Sequence, residues 1–265
     1  MKAIGIFDSG IGGLTVFSQV EKLLPSENLI YLGDTARVPY GTKSKETIER
    51  FAQEDTQFLL QKNVKFMIAA CNTVSALALP FLKKEMNIPI MGVIEPAVQK
   101  AIFLSQNSRI GVIGTRATIE SKAYDMAFAQ LDPSVQVFSQ ACPLLVPLVE
   151  EGWLNEPEAF SITQKYFEPL IEKKIDTLIL GCTHYPLLSA IIQKAIGEKV
   201  TLIDSAKATA EVCLKTLDER NLLNKNQQGQ HQFFVTDDTE GFRKKGEKFL
   251  KRPMSHVERA DLEQP

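Results

Sequence analysis

The chain is poor in the residues that staple small secreted proteins or build metal clusters. Its 265 residues include only four cysteines, three histidines and one tryptophan. Cys71, Cys142, Cys182 and Cys213 lie far apart and form no C-x-x-C pair, which argues against a zinc ribbon or a thioredoxin-type site. No apolar run approaches the roughly 20 residues that cross a bilayer. Neither sign of charge dominates. Thirty basic residues face 32 acidic ones, so the surface offers no general attraction to nucleic acid or anionic lipid. The dinucleotide fingerprint G-x-G-x-x-G is missing, and no Gly-Lys-Ser/Thr phosphate loop follows the spacing Gly10-Ile11-Gly12-Gly13. The opening residues, Met1 to Asp8, carry a lysine and then an acid around a short apolar run. They read as a first strand and not as a secretion signal. The expectation is a cytoplasmic protein with free thiols, no membrane span and no nucleic-acid partner.

What is present is a repeat. Val64-Lys65-Phe66-Met67-Ile68-Ala69-Ala70-Cys71-Asn72-Thr73 is echoed by Ile175-Asp176-Thr177-Leu178-Ile179-Leu180-Gly181-Cys182-Thr183-His184. Each segment reads as a buried strand that ends in a thiol and then in small polar residues able to cap a helix. Three further pairs keep the same order. Ile4–Ser9 resembles Ile110–Thr115, Leu29–Leu32 resembles Val135–Phe138, and Ile90–Ile94 resembles Val200–Asp204. Parallel α/β strands look alike in general, but four matches in one order point to an internal duplication.

The remaining pattern fits that reading. Strands are expected at Ala3–Phe7, Leu29–Leu32, Phe66–Ala70, Ile90–Ile94, Ile110–Ile113, Val135–Phe138, Thr177–Leu180 and Thr201–Ile203. Helices are expected at Gly13–Leu24, Lys45–Lys62, Val74–Met86, Ile119–Leu131, Pro157–Lys173, Leu187–Ile196 and Ala206–Glu219. Continuous apolar strands alternating with helices indicate an α/β fold of two pseudo-symmetric, doubly wound parallel-sheet domains. Residues 1–95 with 206–255 would form the first domain, 96–205 the second, and 256–265 a tail, with fraying from Arg252 on. Ligands of such sheets gather at the carboxyl ends of strands, so Cys71 and Cys182 would line one cleft from opposite sides.

Each candidate has a plain structural alternative. Asp8 could cap a helix entry, or present a carboxylate to an ammonium group or a thiol. Val38-Pro39-Tyr40-Gly41 could be a simple turn, or a loop whose N–H groups hold a carboxylate. A strand-end cysteine is often a small buried hydrophobe, and Cys142 and Cys213 are read that way. Cys71 and Cys182 differ by sitting at matched places. His184, two residues beyond Cys182, could exchange a proton with it. Glu150 could end a helix in solvent or point into the cleft. Cys71, Cys182 and His184 could in principle bind zinc, although the spacing does not require it.

Five motifs together resemble the glutamate racemases of the cofactor-independent amino-acid racemase superfamily. They are Phe7-Asp8-Ser9-Gly10-Ile11-Gly12-Gly13-Leu14, Gly33-Asp34-Thr35-Ala36-Arg37-Val38-Pro39-Tyr40-Gly41, Ala69-Ala70-Cys71-Asn72-Thr73, Gly92-Val93-Ile94-Glu95-Pro96, and Leu180-Gly181-Cys182-Thr183-His184-Tyr185-Pro186. The similarity runs from residue 1 to about 250. It implies interconversion of L- and D-glutamate without a cofactor, supplying D-glutamate for peptidoglycan, by a cytoplasmic enzyme that is commonly a homodimer. It implies Cys182 and Cys71 as the bases acting on L- and D-glutamate. Asp8 would assist Cys71, His184 would assist Cys182, and Glu150 would stand near the second thiol. Implied substrate contacts are Asp8, Ser9, Tyr40, Gly41, Asn72, Thr73, Thr183 and His184, with Thr115 and Thr118 as further contacts and no dedicated arginine. Rival readings are an aspartate racemase or decarboxylase of the same superfamily, and a two-lobed amino-acid binder.

Overall fold

Strands that are apolar along their whole length need cover on both faces, and helices in the crossovers provide it. The computed structural model describes residues 2–225, 228–254 and 256–262. In chain order the strands are β1 (Ala3–Asp8), β2 (Leu29–Gly33), β3 (Val64–Ala69), β4 (Ile90–Gly92), β5 (Arg109–Gly114), β6 (Gln136–Ala141), β7 (Thr177–Gly181), β8 (Thr201–Asp204), β9 (His231–Val235) and β10 (Val257–Arg259). They form two sheets, ordered β10-β9-β2-β1-β3-β4 and β6-β5-β7-β8, with every pairing parallel.

The inner order β2-β1-β3-β4 of the first sheet matches β6-β5-β7-β8 of the second. The four repeated sequence segments therefore occupy equivalent strands. In each sheet the winding reverses beside the first strand, and a crevice opens there at the carboxyl ends. Phe7 pairs with Ala69, which sets Asp8 and Cys71 on neighbouring strand ends. Gly114 pairs with Gly181, which does the same for Thr115 and Cys182.

Both faces of each sheet carry an apolar cluster. The first sheet is covered by one cluster around Phe17, Tyr31 and Phe233 and another around Phe7, Phe51 and Met67. The second is covered around Phe167, Tyr185 and Leu178 on one side and Tyr124, Phe128 and Val112 on the other. Each fully buried large side chain contributes about 1.5–3 kcal/mol, so these faces fix the strand ends to which the site residues are attached.

Several expectations need correction. The expected strand Ile90–Ile94 ends at Gly92, and a helix, Ile94–Leu104, runs across the expected boundary between residues 95 and 96. Ile94, Ala97, Val98 and Ala101 of this helix pack on the second sheet. The expected helix Val74–Met86 is two helices, Asn72–Leu77 and Leu79–Glu85, the second with proline in its first turn. The expected helix Ile119–Leu131 starts at Arg116 and breaks at Lys122, whose φ of 59° is left-handed.

The expected fraying from Arg252 is also overturned. Val257–Arg259 extends the first sheet as β10, and Met254, Val257 and Ala260 are buried. Ser255 and residues 263–265 of that stretch lie outside the described residues. Among the described residues no helix is long and apolar enough to cross a membrane.

Candidate active site

β3 and β7 deliver Cys71 and Cys182 to one cavity of about 250 Å³. Ser9, Tyr40, Gly41, Asn72, Thr73, Thr115, Glu150, Thr183 and His184 also line it. Asp8 and Thr118 stand just behind this wall and are almost fully buried. Both thiols are free and 6% exposed, so a ligand in the cavity can reach them while bulk water barely does. Cys142 and Cys213 are fully buried in the cores.

The two sulfurs have opposite electrical surroundings. Cys71 is the residue before the helix Asn72–Leu77, and its Sγ is 3.8 Å from the Ser9 hydroxyl. Burial, the nearby Asp8 carboxylate and Cys182 together push the Cys71 thiol up to about 12. Asp8 is itself raised, chiefly by burial, although the His184 charge and the Gly10 and Gly13 N–H groups oppose this. Cys182 Sγ lies 3.9 Å from His184 Nδ1, and His184 Nε2 lies 3.3 Å from Glu150 Oε1. Burial opposes the imidazolium, but hydrogen bonding to Cys182 and Glu150 and the charges of Cys182 and Asp8 outweigh it. His184 is thereby raised to about 10. Glu150 is correspondingly lowered by its bond to His184. One sulfur thus has an anionic neighbour and the other a cationic one.

The halves meet around these groups. Thr183 Oγ1 donates to Asp8 Oδ2 at 3.3 Å, and Thr15 Oγ1 donates to the Thr183 carbonyl at 3.2 Å. A side chain at Gly12 would strike Thr183 and His184, and one at Gly41 would lie 2.8 Å from Thr115 Cβ. These glycines serve the contact between lobes, a purpose the turn chemistry of the sequence did not disclose. Thr73 Oγ1 is 3.1 Å from Thr115 Oγ1 and 3.4 Å from Thr118 Oγ1, so three hydroxyls from two lobes cluster on one wall.

Tyr40 lines the cavity, and its ring packs against Phe51. Its hydroxyl points away and donates to Asp34, which also accepts from Arg37 Nε at 2.6 Å and Thr236 Oγ1 at 2.9 Å. Burial and the charges of Asp55 and Asp34 keep this phenol protonated. Arg116, an exposed residue that nothing in its local sequence distinguished, also lines the cavity. Tyr124 also went unnoticed, being far along the chain from its partner Asn72. Among the described residues no group of three or more His, Cys, Asp or Glu side chains is placed to hold a metal ion.

Two parallel-sheet lobes that each put one thiol into a shared cavity define an amino-acid racemase, an isomerase. The chain belongs to the Asp/Glu/Hydantoin racemase family, which matches residues 5–213. A protein described as glutamate racemase from Geobacter metallireducens is 48% identical over 263 residues, covering 99% of this chain and 97% of the relative. The glutamate racemase isoform RacE1 from Bacillus anthracis superimposes with a TM-score of 0.96 at 41% identity, covering 98% of both chains. Glutamate racemase from Francisella tularensis, solved in complex with D-glutamate, gives 0.93 at 40% identity, covering 99% of this chain and 98% of that one.

Proposed function

We propose that this protein interconverts L- and D-glutamate by a two-thiol, cofactor-independent exchange of the α-proton, supplying D-glutamate for peptidoglycan. What supports the reading is one cavity lined by both Cys71 and Cys182, which follow strands of different sheets. Racemisation removes the α-proton from one face and returns one to the opposite face, so it needs one thiolate and one thiol at any moment.

The groups beside the sulfurs support the assignment of roles. Asp8 disfavours a thiolate at Cys71, and His184 Nδ1 stands 3.9 Å from Cys182 Sγ, placed to exchange a proton with it. The family resemblance assigns Cys182 to the proton of L-glutamate, with Cys71 donating to the other face. D-glutamate runs the sequence in reverse, with Asp8 and His184 handling protons beside their thiols and Glu150 holding His184 in place. Asn72, on the cavity lining, is one of the substrate contacts. The hydroxyls of Ser9, Thr73, Thr115, Thr118 and Thr183 and the backbone of Tyr40 and Gly41 suit its two carboxylates. Two lobes, 1–95 with 206–255 and 96–205, would close on the substrate and exclude water from the carbanion. The working unit is a cytoplasmic homodimer.

The test follows each glutamate enantiomer in heavy water and measures deuterium at the α-carbon. The wild-type protein should exchange both enantiomers, and L-aspartate much more slowly. Cys71→Ser and Cys182→Ser should each abolish racemisation by more than about 10³-fold. Full turnover with both thiols replaced would end this reading, and faster turnover of L-aspartate would move it to the aspartate racemases.

A further inference from the structure

Residues 38–42 all line the cavity that holds both thiols, and the one regular element among them is the short turn Tyr40–Thr42. The stiffness of this wall comes from a charge network beside it. The helix Lys45–Gln61 carries Phe51, Glu54 and Asp55 at spacings of three and four, which puts them on one face. Arg37, the residue before the wall segment, meets all three. Its Nη1 donates to Glu54, its Nη2 donates to Asp55 Oδ1 at 3.4 Å, and its Cζ stands 4.0 Å from the centre of the Phe51 ring. Its Nε donates to Asp34 Oδ2, just past β2, at 2.6 Å. Tyr40, within the wall, reaches the same partners. Its hydroxyl donates to Asp34 and lies 3.3 Å from Asp55 Oδ2, and its ring centre is 5.5 Å from that of Phe51. Asp34 and Asp55 are fully buried. Apolar side chains of the same volume would stabilise such a site as well or better, so stability alone does not account for these charges. The two arms leave the chain at residues 37 and 40, on either side of Val38 and Pro39, and so fix the course of the backbone along the cavity.

We propose that Arg37 is a positioning residue: with Asp34, Asp55 and Tyr40 it forms a clamp that holds residues 38–42 in place to receive a carboxylate of the substrate. The proposal rests on the dicarboxylate substrate of the reading above and names what keeps the Tyr40–Gly41 backbone where that reading needs it. Lysine cannot replace Arg37, since a single ammonium has no planar fork of N–H groups to reach three acids at once. The sulfurs have neighbours of their own, Ser9 for Cys71 and His184 for Cys182. Loss of the clamp should therefore weaken binding and spare proton transfer.

The test compares Arg37→Lys and Tyr40→Phe, singly and together, on the full chain. Each should raise KM for both glutamate enantiomers about tenfold, the worth of one hydrogen bond to a charged group, with kcat changed less than about threefold. The double variant should raise KM less than about thirtyfold, where independent effects would multiply to about a hundredfold. Glutarate, a dicarboxylate without the ammonium group, should lose affinity by the same factor as glutamate in calorimetric titration, which needs no turnover. An unchanged KM, a fall in kcat alone, effects that multiply, or glutarate bound at full strength would overturn the clamp. Should Arg37→Lys fail to fold, Tyr40→Phe removes only a hydroxyl and decides the KM and glutarate measurements by itself. Failure of the clamp leaves Cys71→Ser and Cys182→Ser inactive. Failure of the two-thiol reading leaves them active, and the glutarate titration still judges the clamp.

Discussion

Replacing Gly12 by alanine probes how closely the two lobes must meet. The added carbon would lie 2.5 Å from His184 Nδ1 and 2.7 Å from its Cε1, and would collide with Thr183 Oγ1. Non-bonded contact needs roughly 3.5 Å, so about 1 Å of separation must be found. The Gly12 side cannot yield easily, because its carbonyl accepts from Thr15 N at 3.0 Å. The displacement falls on His184, which then leaves Cys182 and Glu150. Overpacking of this kind costs about 1–3 kcal/mol, or a fall in melting temperature of roughly 3–10 °C for a chain of this size. A misplacement of about 1 Å at a reacting group costs on the order of 10²-fold in rate. Polarimetry on both enantiomers should therefore show kcat lowered about 100-fold. Gly10→Ala is the matched control, since its added carbon meets only Val38 Cγ2, at an ordinary 3.6 Å. It should keep kcat within about twofold. A Gly12→Ala protein with undiminished kcat, or a Gly10→Ala protein equally damaged, would refute the steric reasoning.

Two further predictions concern stability. His184 is raised from 6.5 to about 10, so between these values the folded chain holds a proton that the unfolded chain has lost. Its contribution is complete below about pH 6.5 and disappears as pH rises through about 10. Cys71, raised from 9.0 to about 12, adds the same sign at higher pH. Urea unfolding at about pH 6.5 and pH 9.5 should show a loss of stability that is smaller in His184→Gln, and parallel losses would count against the assignment. The second prediction is truncation after Leu250, which removes β10 and exposes the contacts of Met254 and Val257. At about 1.5–3 kcal/mol per side chain the loss is roughly 3–6 kcal/mol. An unchanged melting curve would show that this segment contributes nothing.

Much of the fold was legible because parallel strands advertise themselves. β1, β3 and β7 are buried throughout and mostly apolar, and the matched cysteines marked the ends of β3 and β7 as equivalent. β9 and β10 escaped notice because His231 and Gln232 in β9 and Glu258 and Arg259 in the edge strand β10 interrupt their apolar residues. The helix Ile94–Leu104 was hidden because the repeat put a boundary between the halves at its start. In the site, residues adjoining a thiol were readable from local sequence. Tyr124 was not, because a buried tyrosine 52 positions from Asn72 carries no local signal of the hydrogen bond it makes. Gly12 and Gly41 looked like turn residues, and only the facing lobe explains why a methyl group cannot fit there.

The route of the chain through its two sheets has a consequence for synthesis on the ribosome. β2 acquires its outer neighbour only when His231–Val235 arrives, after the whole second sheet has been made. Until then the nascent first sheet presents an open flank of unpaired backbone groups, the kind of surface that recruits strands from other molecules. Delay or arrest of translation within the second lobe would prolong that exposure, and aggregation during expression should begin at the Leu29–Gly33 border.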